Sequence, residues 1–298
     1  MKMKSYNEFT QAVADIITIM GDEYFPNYDE ISVRLETITK NNDDRCVGLL
    51  ISEKGNKVVP TIYLEGYWKK YQEGCSLKDI VDEIVTVRKE YNNPDIDPSA
   101  ITTLSEIRDR ITCKMLNIKN NESYLIDKPY SKISDLAVVY VVDLNNNMNV
   151  TITNTILKQY GITKETLHRI AMRNLAKSTA KFKTMSEILL EMGAPKEAIP
   201  EFDPDHAMYV LTNASGMFGA NLILNKATMD MVSQKLGGDF IIIPSSIHEV
   251  IILPMSAGTD GLTSMIGSVN LEQLDARDVL SNHPYIYSAE TKKIRSVA

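Results

Sequence analysis

Cysteine is scarce in this chain, and its three copies are far apart. Cys46, Cys75 and Cys113 have no CxxC spacing, and an odd number cannot close into a full set of disulfides. That argues against a redox or zinc motif and favours reduced thiols in a cytoplasmic protein. Long apolar runs are also missing: none approaches the roughly 20 residues that span a bilayer. The start, Met1–Lys2–Met3–Lys4–Ser5, is charged with no apolar stretch behind it, unlike a signal peptide. Basic excess is absent too. With 32 Lys and Arg against 39 Asp and Glu, the formal net charge is -7, which disfavours broad attraction to nucleic acid or anionic membrane. No GxGxxG or Walker A loop, no GxSxG elbow and no solenoid repeat occurs, so no cofactor is implied.

What is present is an ordinary globular composition: 298 residues, 44% hydrophobic and 24% charged, enough for one large core or two. Phe9, Val13, Ile16, Ile17 and Met20 recur at helical spacing over residues 5–20, with Gly21 as the stop. Strands are expected at 33–38, 47–52 and 58–64, with a turn at 54–57. Tyr67, Trp68 and Tyr71 lie on a helix, and Ser76 with Asp79 caps another running through Ile80, Ile84 and Val87. A polar break covers 92–99, and residues 104–116 read as a helix on the stripe of Ile107 and Ile111. Residues 136–142 and 148–152 read as a hairpin with a turn at 145–147. Helices are expected at 163–176, capped by Thr163, and at 185–192. Strand 207–211, a short strand at Leu222 and Ile223, helix 227–236 and the stop Gly237–Gly238 follow. Strands at 240–243 and 247–253, a helix at 261–269 and a hairpin of 285–287 with 293–295 complete the chain. The fold class is α+β, with mixed, mostly antiparallel sheets and helices packed around them. Two domains are expected: residues 1–130, a helix–hairpin–helix region, and 131–298.

The most informative stretch is 240–254, where two very apolar runs flank Pro244, Ser245, Ser246, Ile247, His248 and Glu249. Ionisable groups there need either a partner or a purpose. His248 is a candidate general base and Ser246 a candidate nucleophile. Glu249 lies next to His248, and on a strand the two would point to opposite faces, so a shared metal is excluded. The sequence His248–Glu249–Val250–Ile251–Ile252 is not HExxH. A strand-to-strand turn explains the serines equally well. A second candidate is the small-residue loop 212–220, where Thr212, Asn213, Ser215 and Gly216 could hold a polar ligand. The third is an aromatic cluster around Trp68 and Tyr71, which packs the helix on the hairpin and leaves an edge for a partner. His206, with Asp203 and Asp205, lacks zinc or EF-hand spacing and reads as turn and cap chemistry. His168 and His283 show no local partner, and Asp135 and Asp143 read as the wet ends of a strand. No metal site is expected.

These residues also carry a resemblance. Segments 59–65 with Tyr67 and Tyr71, 135–140, 160–167 and 209–213 with Gly216, Gly219 and Ala220 are similar to the DUF5688 family of bacterial proteins. So are 236–240, 243–250 and 279–281 with Tyr285 and Tyr287. The Pro244–Val250 segment is also locally similar to the DUF1444 family. The resemblance implies a bacterial, intracellular protein and brings no catalytic assignment. Such proteins are often acidic just after Leu-Pro, whereas here Met255 to Thr259 precede Asp260, which weakens any acid or metal site placed after Pro254.

Two functional readings follow. The first is a regulatory, ligand-recognition or protein-interaction module, with an unidentified protein or small molecule as partner. The alternative is a hydrolase-like enzyme using His248 as general base. Oligomeric state is not legible.

Overall fold

The computed structural model describes residues 4–26, 30–53, 59–90, 101, 103–144, 149–199 and 207–297. The turns expected at 54–57 and 145–147, the break at 92–99 and the Asp203–His206 group lie outside the described residues. The fold is α+β, with antiparallel pairing and surrounding helices. The chain divides into two compact units, Met1–Lys40 with Asp44–Ile101, and Asn41–Asp43 with Thr102–Ala298.

In the first unit, helix Tyr6–Ile19 begins at a capping box: the Ser5 side chain accepts from Glu8 N, and Ser5 N donates to Glu8. It buries Phe9, Val13 and Ile17. It ends at Ile19 with Met20 as its C-cap, and Gly21 opens a separate one-turn helix, Gly21–Tyr24. Strands β1 (Ile31–Thr39), β2 (Arg45–Glu53) and β3 (Thr61–Tyr63) form an antiparallel sheet in that order. Helix Glu65–Gln72 and helix Leu77–Glu90 close the core, the second capped by Ser76 Oγ accepting from Asp79 N at 3.1 Å. The core joins Phe9, Leu49, Ile51, Leu64, Ile80 and Ile84, each at most 1% exposed, and full burial of such side chains stabilises by about 1.5–3 kcal/mol apiece.

The second unit carries two sheets. One is β4 (Ile111–Asn117), β6 (Leu136–Asp143) and β5 (Tyr130–Ile133) in that order, with β7 (Asn149–Thr151) on β6. The other has the order β13 (Lys293–Ser296), β12 (Tyr285–Ser288), β10 (Phe240–Ile243), β11 (Val250–Pro254), β9 (Tyr209–Asn213), β8 (Ala180–Thr184). β6 is buried along seven of its eight positions, as expected of a strand covered on both faces. Helix Lys164–Leu175, capped by Thr163, and helix Lys226–Leu236, ended by Gly237 at φ 79°, pack Leu167, Ile170, Met229 and Val232 into the shared core.

Three expectations are corrected. Residues 104–116 are not one helix: a single turn, Leu104–Ile107, leads into β4. The ladder offered by β6, Ile111 against Val142 through Asn117 against Leu136, outweighs the helical spacing of Ile107 and Ile111. Leu222 and Ile223 lie in a 3-10 helix, Gly219–Leu224, which buries both. Strand β11 starts at Val250 rather than at Ile247, so His248 and Glu249 sit in a connection and strand alternation does not govern them.

The burial of the thiols sets their reactivity. Cys75 is exposed, whereas Cys46 and Cys113 are buried, and burial pushes the Cys113 thiol up to about 12. Native protein at pH 8 should therefore titrate about one thiol with Ellman's reagent, at Cys75, and the others only after denaturation.

Candidate functional site

Pro244 to Glu249 connect two buried strands, so their backbone groups need partners outside a ladder. For four N–H groups and two carbonyls they are present. Ser245 N donates to Ile243 O at 2.9 Å, Ser246 N to Glu249 O at 3.1 Å and Ile247 N to Asp278 O at 2.8 Å. His248 N donates to Ser246 Oγ at 3.0 Å, and His248 O accepts from Thr212 Oγ1 at 2.8 Å. The last bond matters most, because it ties this connection to the 212–220 loop. Two segments singled out separately in the sequence thus meet.

Their crossing is tight. A Cβ at Gly219 would stand 2.3 Å from Thr212 Oγ1, 2.4 Å from His248 O and 2.8 Å from Asn213 N. Only glycine fits there, since two of those neighbours are backbone atoms that cannot swing away.

His248 holds the far end of the loop. Its Nδ1 accepts from Phe218 N at 3.2 Å, and its ring stacks on Phe218 at 10° between planes with centroids 5.8 Å apart. Because Nδ1 accepts, the neutral ring carries its proton on Nε2, which lies 3.4 Å from Asp278 Oδ1. Phe218 itself is left-handed at φ 55°, a costly conformation for a bulky residue. The buried Lys114 flanks the same ring, its Nζ 5.8 Å from the Phe218 centroid and 4.9 Å from that of Tyr124, and it donates to Asn41 Oδ1 at 2.7 Å.

Both ring nitrogens of His248 therefore have a partner. Ser246 is buried, and its Oγ accepts from the backbone of His248. Glu249 reaches Ser245, whose Oγ donates to Glu249 Oε1 at 3.4 Å. The loop is braced internally: Asn213 Nδ2 donates to Met217 O at 2.7 Å, Ser215 Oγ to Asn213 Oδ1 at 3.0 Å, and Met217 N to Ser215 Oγ at 3.3 Å. Gly216 turns the chain at φ 71°.

Beneath this brace is a cavity of about 370 Å3, whose walls include Arg110, Asp143, Asn149, Asn174, Asn213 and Ser215. Asn174 fixes one wall by donating to Arg108 O at 2.8 Å and Ile111 O at 2.9 Å. Thr212 lies behind the loop, on His248, and Gly216 at its exposed tip.

Trp68 and Tyr71 are elsewhere, in the first unit. Their rings stack at 5.7 Å and meet Phe9 at 5.3 and 5.2 Å, and Tyr6 abuts Trp68 at 5.6 Å. Glu65 Oε1 accepts from Tyr6 OH at 2.8 Å and Val47 N at 2.7 Å, fixing helix to hairpin.

A cluster with no local sequence signal forms at Asp135. Its carboxylate lies 2.9 Å from His283 Nε2 and accepts from Asn117 Nδ2 at 2.8 Å and Tyr285 OH at 3.0 Å. Burial raises the Tyr285 pKa well above its usual value, so the phenol stays a donor. Among the described residues no group of three His, Cys, Asp or Glu could hold a metal ion, and no helix is long and apolar enough to cross a membrane.

Residues 6–289 match DUF5688, a family of unknown function, and the chain belongs to that family. No curated protein and no solved structure matches it.

Two substitutions probe this crossing. Gly219→Ala should cost about 2–3 kcal/mol in urea unfolding, through overpacking against backbone. Gly267→Ala, in helix Leu262–Gln273 with nothing within 4 Å of the new methyl, should instead stabilise by about 0.5–1 kcal/mol. His248→Ala should cost about 1–3 kcal/mol, and amide exchange at Phe218 should speed up more than in the β10–β11 ladder.

Proposed function

We propose that this member of the DUF5688 family is a recognition protein whose site is the polar cavity under the 212–218 loop. The observation that carries the reading is convergence. Side-chain amides, hydroxyls and charges of both signs line one cavity, and the loop over it is fixed by hydrogen bonds from Asn213 and to His248. Arg110, Asp143 and three asparagines suit a small zwitterion, such as an amino acid, better than a phosphate or an apolar molecule.

In this reading His248 is a positioning residue. It anchors Phe218 and so sets the height of Ser215 over the cavity. Hydrolysis by His248 is the weaker reading, because a general base needs a bare nitrogen facing its substrate, and both nitrogens are engaged. A cytoplasmic location fits the reading, since the buried thiols of Cys46 and Cys113 suit a reducing compartment.

The test is a thermal-shift screen of amino acids and short peptides on the full chain. A ligand at about 100 times its Kd should add about 2.7 kcal/mol of stability, a shift of several degrees. Ser215→Trp, on an exposed position, should abolish the shift, with the unliganded melting temperature lowered only modestly by the loss of two loop hydrogen bonds. A shift that persists in Ser215→Trp would move the site elsewhere.

A further inference from the structure

A second cleft in the same unit, of about 650 Å3, shares no lining residue with the first. Its depth and its rim differ in chemistry. Val138, Ile223 and Met229 form a buried apolar floor, at 2%, 4% and 2% exposure. Lys132, Lys226 and Lys293 stand exposed at the rim, and Lys292 beside them pairs with Asp230 at 2.8 Å. Among the described residues no acidic side chain lines it. Lys132 and Lys293 form no side-chain ion pair among the described residues. In a chain of net charge -7 this is a local inversion of sign.

A polar chain reaches the cleft from below. The buried Tyr140 hydroxyl lies 2.6 Å from Ser131 Oγ and 3.0 Å from His168 Nδ1, and both Ser131 and His168 line the cleft. Burial, with Lys164 nearby, lowers the His168 pKa, so the ring is neutral at neutral pH. Burial also pushes the Tyr140 phenol up to about 12, keeping its proton. In the tautomer where Tyr140 donates to Nδ1, the imidazole proton stands on Nε2, which has no protein partner among the described residues.

We propose that this cleft binds a medium-chain organic carboxylate. Its apolar body would lie on the floor of Val138, Ile223 and Met229, and its carboxylate would meet Lys132, Lys293 and His168 Nε2. The charge pattern selects the class. An apolar floor alone would accept an alcohol as readily as an acid, and a lysine rim alone would accept inorganic phosphate. Together they favour a molecule carrying both features.

Isothermal titration of the full chain with decanoate tests this, with decanol and inorganic phosphate as controls. Saturable binding of one decanoate per chain is expected, with both controls weaker by about tenfold or more. Lys132→Glu with Lys293→Glu, both on exposed rim positions, should weaken decanoate by about tenfold while leaving the fold intact. Met172→Trp, which narrows the cleft, should do the same for a different reason. Ser215→Trp should leave decanoate binding unchanged, which separates this site from the 212–218 cavity. No saturable binding, equal binding of decanol or phosphate, or full affinity in both cleft variants would overturn the proposal.

Discussion

The connection between β10 and β11 must cross the protein without a ladder partner, and the site rests on how its backbone is satisfied. The N–H groups of Ser245, Ser246, Ile247 and His248 and the carbonyl of His248 are met by turn bonds, by Ser246, by Asp278 and by Thr212. An orphaned carbonyl at His248 would cost about 1–3 kcal/mol. The loop carrying Thr212 is therefore required for stability as well as for shape. Because Gly219 admits no side chain at the crossing, that loop can approach closely enough to do both tasks.

This arrangement changes what the histidine means. A histidine beside serines and a glutamate invites a catalytic reading when met in sequence. In the fold it accepts from one backbone amide, stacks on one ring and faces one carboxylate. Phe218, which meets both that ring and the Lys114 ammonium, holds a backbone conformation its own side chain disfavours. The strain sits at the wall of the polar cavity, where a rigid lining has value for recognition.

Legibility followed the range of the interactions. Helices that begin at Ser76 and Thr163 were readable because their caps lie within three residues of what they satisfy, and the first helix because its apolar stripe repeats each turn. The end at Gly237 was readable for the same local reason. Residues 111–117 were not, since Ile107 and Ile111 suit a helix until β6 supplies a ladder from a separate part of the chain, Asn117 meeting Leu136 and Ile111 meeting Val142. Both halves of the site, 212–220 and 245–249, stood out by composition, but their meeting could not be read. Asp278 gave no signal, and neither did the joining of Asp135 with His283 across 148 positions. The cationic cleft was equally hidden, because its lysines come from separate elements.

The order of the six-stranded sheet has one more consequence. Its two outer strands are β13 and β8, and each alternates cations along its length: Lys293 and Arg295 on one, Lys181 and Lys183 on the other. A second molecule adding its own β13 or β8 edge to either strand would bring these like charges together across the new ladder. Both outer strands are also only four or five residues long. Short, positively charged margins of this kind work against runaway strand addition, so the sheet can keep a very apolar centre at β10 and β11 without becoming a seed for aggregation.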